Sequence, residues 1–195
     1  MTPEEKREIL ADVDRACKVM QEGGIVVYPT DTIWGIGCDA TNADAVARVY
    51  EIKRRADHKA LITLVPDAGW VERYVEEVPD VAWELLDVAV DPMTIVYDRG
   101  KNVATNLMGE DGSIGLRVTS EFYSRELCRR LRKPVVSSSA NVSGDPSPMC
   151  FAEISKEILD AADYVAMYRR DDKGGIKAST VIRLGAGGLI KILRS

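Results

Sequence analysis

At 195 residues, 46% hydrophobic and 29% charged, the chain can bury roughly 70% of its unfolded surface in one domain, residues 1–195, without a disulfide or metal staple. That balance is neither that of a disordered chain nor that of a membrane-embedded one. A formal net charge of −5 excludes a broadly basic nucleic-acid coat, since affinity for phosphate backbones accumulates from Lys and Arg, so any phosphate site must be local.

Residues 3–22 read as the first helix, with Ile9, Leu10, Val13, Ala16, Cys17 and Met20 at helical spacing behind a Thr2-Pro3-Glu4-Glu5 capping box. Gly23-Gly24 ends it. Ile25-Val26-Val27-Tyr28 is a short strand stopped by Pro29. A helix from near Asn42 presents Val46, Val49 and Ile52 on one face, and Leu61 to Val65 form the next strand. Helical stretches are predicted around 68–76 and 80–88 and over 121–131. Strands are predicted at 93–98, 114–118, 134–138, 163–167, 179–184 and 188–193. Interleaved strands and helices imply an α/β sheet covered on at least one face.

Several chemistries lack their residues. Cys17, Cys38, Cys128 and Cys150 form no C-x-x-C pair, which leaves buried thiols in a reducing cytosol, and His58 is the sole histidine. There is no G-x-S-x-G elbow and no Walker loop. Residues 1–20 lack a signal peptide's basic start and apolar run, and no segment approaches the ~20 apolar residues of a membrane span. The expected location is the cytoplasm, with no membrane partner. Gly35-Ile36-Gly37-Cys38-Asp39-Ala40 fits the loose dinucleotide pattern G-x-G-x-x-A, but Pro29 through Trp34 stand between it and the strand, where a tight turn is required.

Four clusters remain, each with a plain alternative. Lys53-Arg54-Arg55, with Lys59 nearby, suits either a helix C-terminus or the oxygens of a triphosphate. Ser137 to Gly144 beyond a strand suits either a polar ligand or a turn. Tyr28-Pro29-Thr30-Asp31-Thr32 is equally open, and Arg117 at a strand end is either an anion clamp or one half of an ion pair.

In this order, Gly24 to Thr32 with Gly35 and Gly37, Lys53-Arg54-Arg55, Gly115-Leu116-Arg117, Ser139 to Gly144 with Pro146-Ser147-Pro148, and Ser179-Thr180-Val181 resemble the YrdC/Sua5/YciO family, the threonylcarbamoyl-AMP synthases. Its Lys-x-Arg and Ser-x-Asn patterns are intact as Lys53/Arg55 and Ser139/Asn141. The resemblance implies a twisted, open, mixed α/β sheet with flanking helices and a large concave basic cleft. It also implies a nucleotidyltransferase that joins L-threonine, bicarbonate and ATP, with Mg²⁺, into threonylcarbamoyl-AMP and pyrophosphate. A partner threonylcarbamoyl-transferase complex then modifies adenosine 37 of tRNA. By resemblance, Lys53 and Arg55 are catalytic and bind ATP together with Ser139, Asn141, Ser147 and Arg194, whereas Thr32, Arg117, Ser137 and Ser179 hold threonine.

The chain departs from the pattern at Ala56 and Ala60, where prolines are usual, at Trp34 for a tyrosine, at Leu64 for a threonine-contacting histidine, and at Asp91-Pro92-Met93-Thr94 for Pro-Gly-Pro-x-Thr. The second domain of longer Sua5 proteins is missing. The alternative function is that of a YciO-like paralogue binding nucleotide or double-stranded RNA without synthase activity.

Overall fold

The computed structural model describes residues 1–55, 61–173, 178–185 and 189–194. Helix α1 (Pro3–Gln21) starts as its sequence predicts: Thr2 accepts from the Glu5 amide and Glu5 accepts from the Thr2 amide, pairing donors that a helix start leaves bare. It exits through Gly23 at φ +82°, a left-handed conformation that favours a residue without Cβ. Asp12 lies in its buried apolar stripe. The carboxylate is satisfied there by the Tyr164 hydroxyl and by the amides of Met167 at 2.8 Å and Tyr168 at 3.0 Å.

The strands are β1 (Val26–Tyr28), β2 (Gly35–Gly37), β3 (Ile62–Val65), β4 (Met93–Tyr97), β5 (Ile114–Val118), β6 (Val135–Ser139), β7 (Tyr164–Val165), β8 (Thr180–Leu184) and β9 (Ile190–Arg194). They form one open mixed sheet in the order β7-β1-β2-β6-β3-β5-β4-β8-β9. The pairs β1–β7, β3–β5 and β4–β8 are parallel and the others antiparallel. Around it lie α2 (Ala43–Ile52), α3 (Val71–Tyr74), α4 (Asp80–Val88), α5 (Phe122–Leu131) and α6 (Lys156–Ala161). Alternation along β3 divides the core between the two faces: Leu64 joins the cluster with α1, α2 and α5, and Val65 the one with α3 and α4. Cys17, Cys38 and Cys128 are buried free thiols. No helix among the described residues is long and apolar enough to cross a membrane.

The structure adds β2 and α6 to the predicted elements. The Gly35–Gly37 segment is a strand between β1 and β6, and a Cβ on Gly37 would stand 1.6 Å from the Val136 carbonyl oxygen. Its glycines therefore serve strand approach rather than a dinucleotide turn. The stretch predicted at 163–167 pairs over two residues only, because Asp12 takes the amides of Met167 and Tyr168. The 68–76 stretch divides into a tight turn at Ala68–Trp70 and the short α3.

Candidate active site

The loop from β1 to β2 makes one wall. Thr30 donates its hydroxyl proton to the Ile33 carbonyl at 2.7 Å. Having one proton, it must act as acceptor toward Thr32 Oγ1 at 3.0 Å. Thr32 Oγ1 then offers its own lone pair to Arg117 Nη1 at 3.3 Å. Arg117 is brought there by β5, where it pairs with Leu64 of β3 and Thr94 of β4. Beneath it lies Asp31, with Oδ1 3.3 Å from Arg117 Nε and both side chains about 95% buried, 4% and 5% exposed. Neither Asp31 oxygen accepts a hydrogen bond among the described residues, so charge alone holds this pair. Burial pushes the Arg117 guanidinium below its ordinary value, and Asp31 opposes that shift.

Ser179 closes the opposite side. Its hydroxyl shares a 3.0 Å hydrogen bond with Thr94 of β4 and accepts from Arg194 Nη2 at 3.1 Å. Its carbonyl accepts twice more from the same guanidinium, at 3.0 and 2.8 Å. A register shift between β8 and β9 at Val181 and Ile182, with Val181 opposite Arg194, falls next to this contact, the kind of irregularity that re-aims a side chain. Between these walls is a cavity of about 170 Å³. All four residues that the resemblance gives to threonine, Thr32, Arg117, Ser137 and Ser179, line it, together with Arg55, Ser139, Ser147 and Arg194. Trp34, Leu61 and Ile62 supply an apolar side, and Trp34 packs on Phe151 at 5.0 Å between ring centroids.

A second cleft of about 390 Å³ adjoins the first and shares Arg55 and Ser139 with it. Lys53, Arg54, Asn141, Ser143 and Gly144 complete its lining. The Lys-x-Arg and Ser-x-Asn segments, far apart in sequence, thus converge on one space. Lys53 is 1% exposed, and its ammonium donates to the Ser139 carbonyl and, at 2.7 Å, to that of Asn141. Burial, and next to it the charge of Arg55, lowers its pKa to about 8. Burial also lowers that of Arg55. The Asn141 amide donates to the carbonyls of Val142 and Asp145, while its Oδ1 is buried with no partner among the described residues.

Cations line both spaces, and among the described residues carboxylates line neither, so their common ligand chemistry is anionic. Mg²⁺ is ordinarily held by carboxylates together with phosphates. These walls offer hydroxyls and Asn141 Oδ1 instead, and so fit the ion only as part of a magnesium–nucleotide substrate.

The structure also brings in Thr30, Asp31, Thr94 and Arg169. The first three sit in segments already singled out, but their pairings depend on strand register. Arg169, at φ +64°, pins the Thr30 carbonyl at 2.9 Å, and no motif announces it. Leu64 is fully buried in the core and lines neither cleft. Ala56, His58, Lys59 and Ala60 lie outside the described residues.

A model of the Sua5/YciO/YrdC family, described as telomere recombination, matches residues 18–195. The chain is 33% identical over 159 residues to the threonylcarbamoyl-AMP synthase of Idiomarina loihiensis, across 80% of this chain and 86% of that one. P. abyssi Sua5 complexed with L-threonine superposes with a TM-score of 0.79 at 25% identity over 93% of this chain and 53% of that one, so the chain spans about half of that relative's length. E. coli YciO superposes with a TM-score of 0.79 at 24% identity over 94% of this chain and 88% of that one, a likeness of fold. With a family match that runs nearly the whole length of the sequence and a cationic double cleft built from the same segments, the chain belongs to the Sua5/YciO/YrdC family.

Proposed function

We propose that the chain is a threonylcarbamoyl-AMP synthase, taking L-threonine, bicarbonate and magnesium–ATP and releasing pyrophosphate. The observation that carries this is the pair of adjoining clefts: one of amino-acid size with a buried arginine and a row of hydroxyls, the other cationic, with Arg55 and Ser139 between them. The threonine complex of the Sua5 relative and the name of the bacterial relative support the substrate class. Arg117 pairs with the threonine carboxylate, while Thr32, Ser137 and Ser179 hold its polar groups. Arg55, Ser139, Asn141, Ser147 and Arg194 receive the nucleotide, and Lys53 adds charge beneath it.

The chemistry asks for alignment rather than a protein nucleophile. The threonine amine and bicarbonate condense to a carbamate with loss of water. A carbamate oxygen then attacks the α-phosphorus, the bond to the β-phosphate oxygen breaks, and pyrophosphate leaves with the electron pair. Cations fixed around the leaving group stabilise the charge that develops there. The adenylate passes to a transferase complex acting on tRNA. Incubation of the protein with ATP, Mg²⁺, bicarbonate and each amino acid in turn, with mass detection of the adenylate, tests the proposal. Threonine- and bicarbonate-dependent adenylate is the expected product; salt-sensitive RNA binding with no ATP turnover would overturn it.

A further inference from the structure

A buried cation ordinarily meets a carboxylate, since taking an unpaired charge out of water is expensive. Lys53 meets carbonyl oxygens instead. Its ammonium reaches those of Ser139 and Asn141, and no ion pair joins it to any acid among the described residues. The same residue ties the loop a third time, its own carbonyl accepting from the Ser143 amide at 2.8 Å. Taking this cleft as the polyphosphate site proposed above, we infer that Lys53 is a positioning residue: it fastens the loop from Ser139 to Ser143 to the end of α2, and the bound anion supplies the counter-charge that the fold withholds.

The electrostatics follow from the neighbours. Among the described residues, Arg55 is the charged group that bears on Lys53, and it acts to discharge it. Arg54 points out to Glu157 of α6 at 2.5 Å. From β6 and its loop, only neutral carbonyls face the ammonium. With the free group titrating at about 8, a polyphosphate in the cleft favours the charged form and raises that value. Below pH 8, Lys53 is already charged and binding takes up no proton through it. Above pH 8, binding takes up one proton, and affinity falls by up to about ten-fold per pH unit.

Calorimetric titration with ATP and with AMP between pH 7 and 9.5, in two buffers of different ionisation enthalpy, reads the proton. Hydrogen exchange on the nucleotide-free protein reads the loop. The wild type is expected to take up close to one proton at pH 9. Lys53→Arg, which keeps a charge that does not titrate here, and Lys53→Met should take up none. Lys53→Met should also exchange the amides of 139–145 at least ten-fold faster without nucleotide. Proton uptake that persists in both variants overturns the inference. So does a Lys53→Met loop that exchanges like wild type while nucleotide affinity is lost, since that is the signature of direct phosphate contact. If wild type binds neither nucleotide, the polyphosphate assignment fails, and the exchange arm still decides whether Lys53 holds the loop.

Discussion

Arg117 and Asp31 form a buried pair without a hydrogen bond between them, and the two partners fail in different ways when removed. Asp31→Asn leaves the guanidinium without its compensating charge and should destabilise the protein by about 3–5 kcal/mol, the usual effect of halving a buried pair, read by urea unfolding. Arg117→Ala should in addition raise the threonine KM by roughly 100-fold, the value of a charged hydrogen-bonded contact, and leave the ATP KM within about two-fold. Equal rises in both constants would show that Arg117 does not belong to the amino-acid side. Thr32, Arg117, Ser137 and Ser179 line one cavity, and it is the family resemblance that groups them, since the residue patterns alone leave Thr32, Arg117 and Ser137 with plain alternatives. Their couplings were not legible. That Thr94 orients Ser179, or that Lys53 turns to two carbonyls, is decided by strand register and loop conformation, which leave no mark in a linear pattern.

Elements with strong periodicity formed where expected: α1 behind its capping box, α2 behind Asn42, and α5 with β5 and β6 on either side in sequence. Two elements were hidden for physical reasons. β2 is three residues long with glycine at both ends, a composition that speaks for turns. α6 has six residues, too few for a helical period to show. The glycines of β2 give a sharp test, because a methyl group on Gly37 would overlap the Val136 carbonyl. Gly37→Ala should separate β2 from β6 and cost at least ~3 kcal/mol, the severe end of overpacking, seen in urea unfolding or as loss of soluble protein. At the other end of the scale, Thr2→Ala removes one cap and should cost about 1 kcal/mol with activity unchanged.

Across the whole molecule, the two clefts share Arg55 and Ser139, and Arg194, proposed above to receive the nucleotide, lines the amino-acid cavity and bonds both the carbonyl and the hydroxyl of Ser179. Nucleotide and amino acid should therefore bind cooperatively. In calorimetry, Arg194→Ala should reduce the coupling between ATP and threonine by about 1 kcal/mol or more, beyond its effect on either ligand alone. Unchanged coupling would place the link elsewhere. The strand that holds this arginine is one of the two edges of the sheet, laddered among the described residues to β8 alone, with Ile190, Ile192 and Leu193 exposed to solvent. Half a ladder frays readily. Local opening of β9 should therefore cost less than global unfolding and limit the lifetime of the assembled cleft, which amide exchange over 190–194 against the core strands would read. Ligands that capture Arg194 should act as a clasp on this strand, and in a temperature ramp warming should silence the enzyme before circular dichroism shows the fold melting.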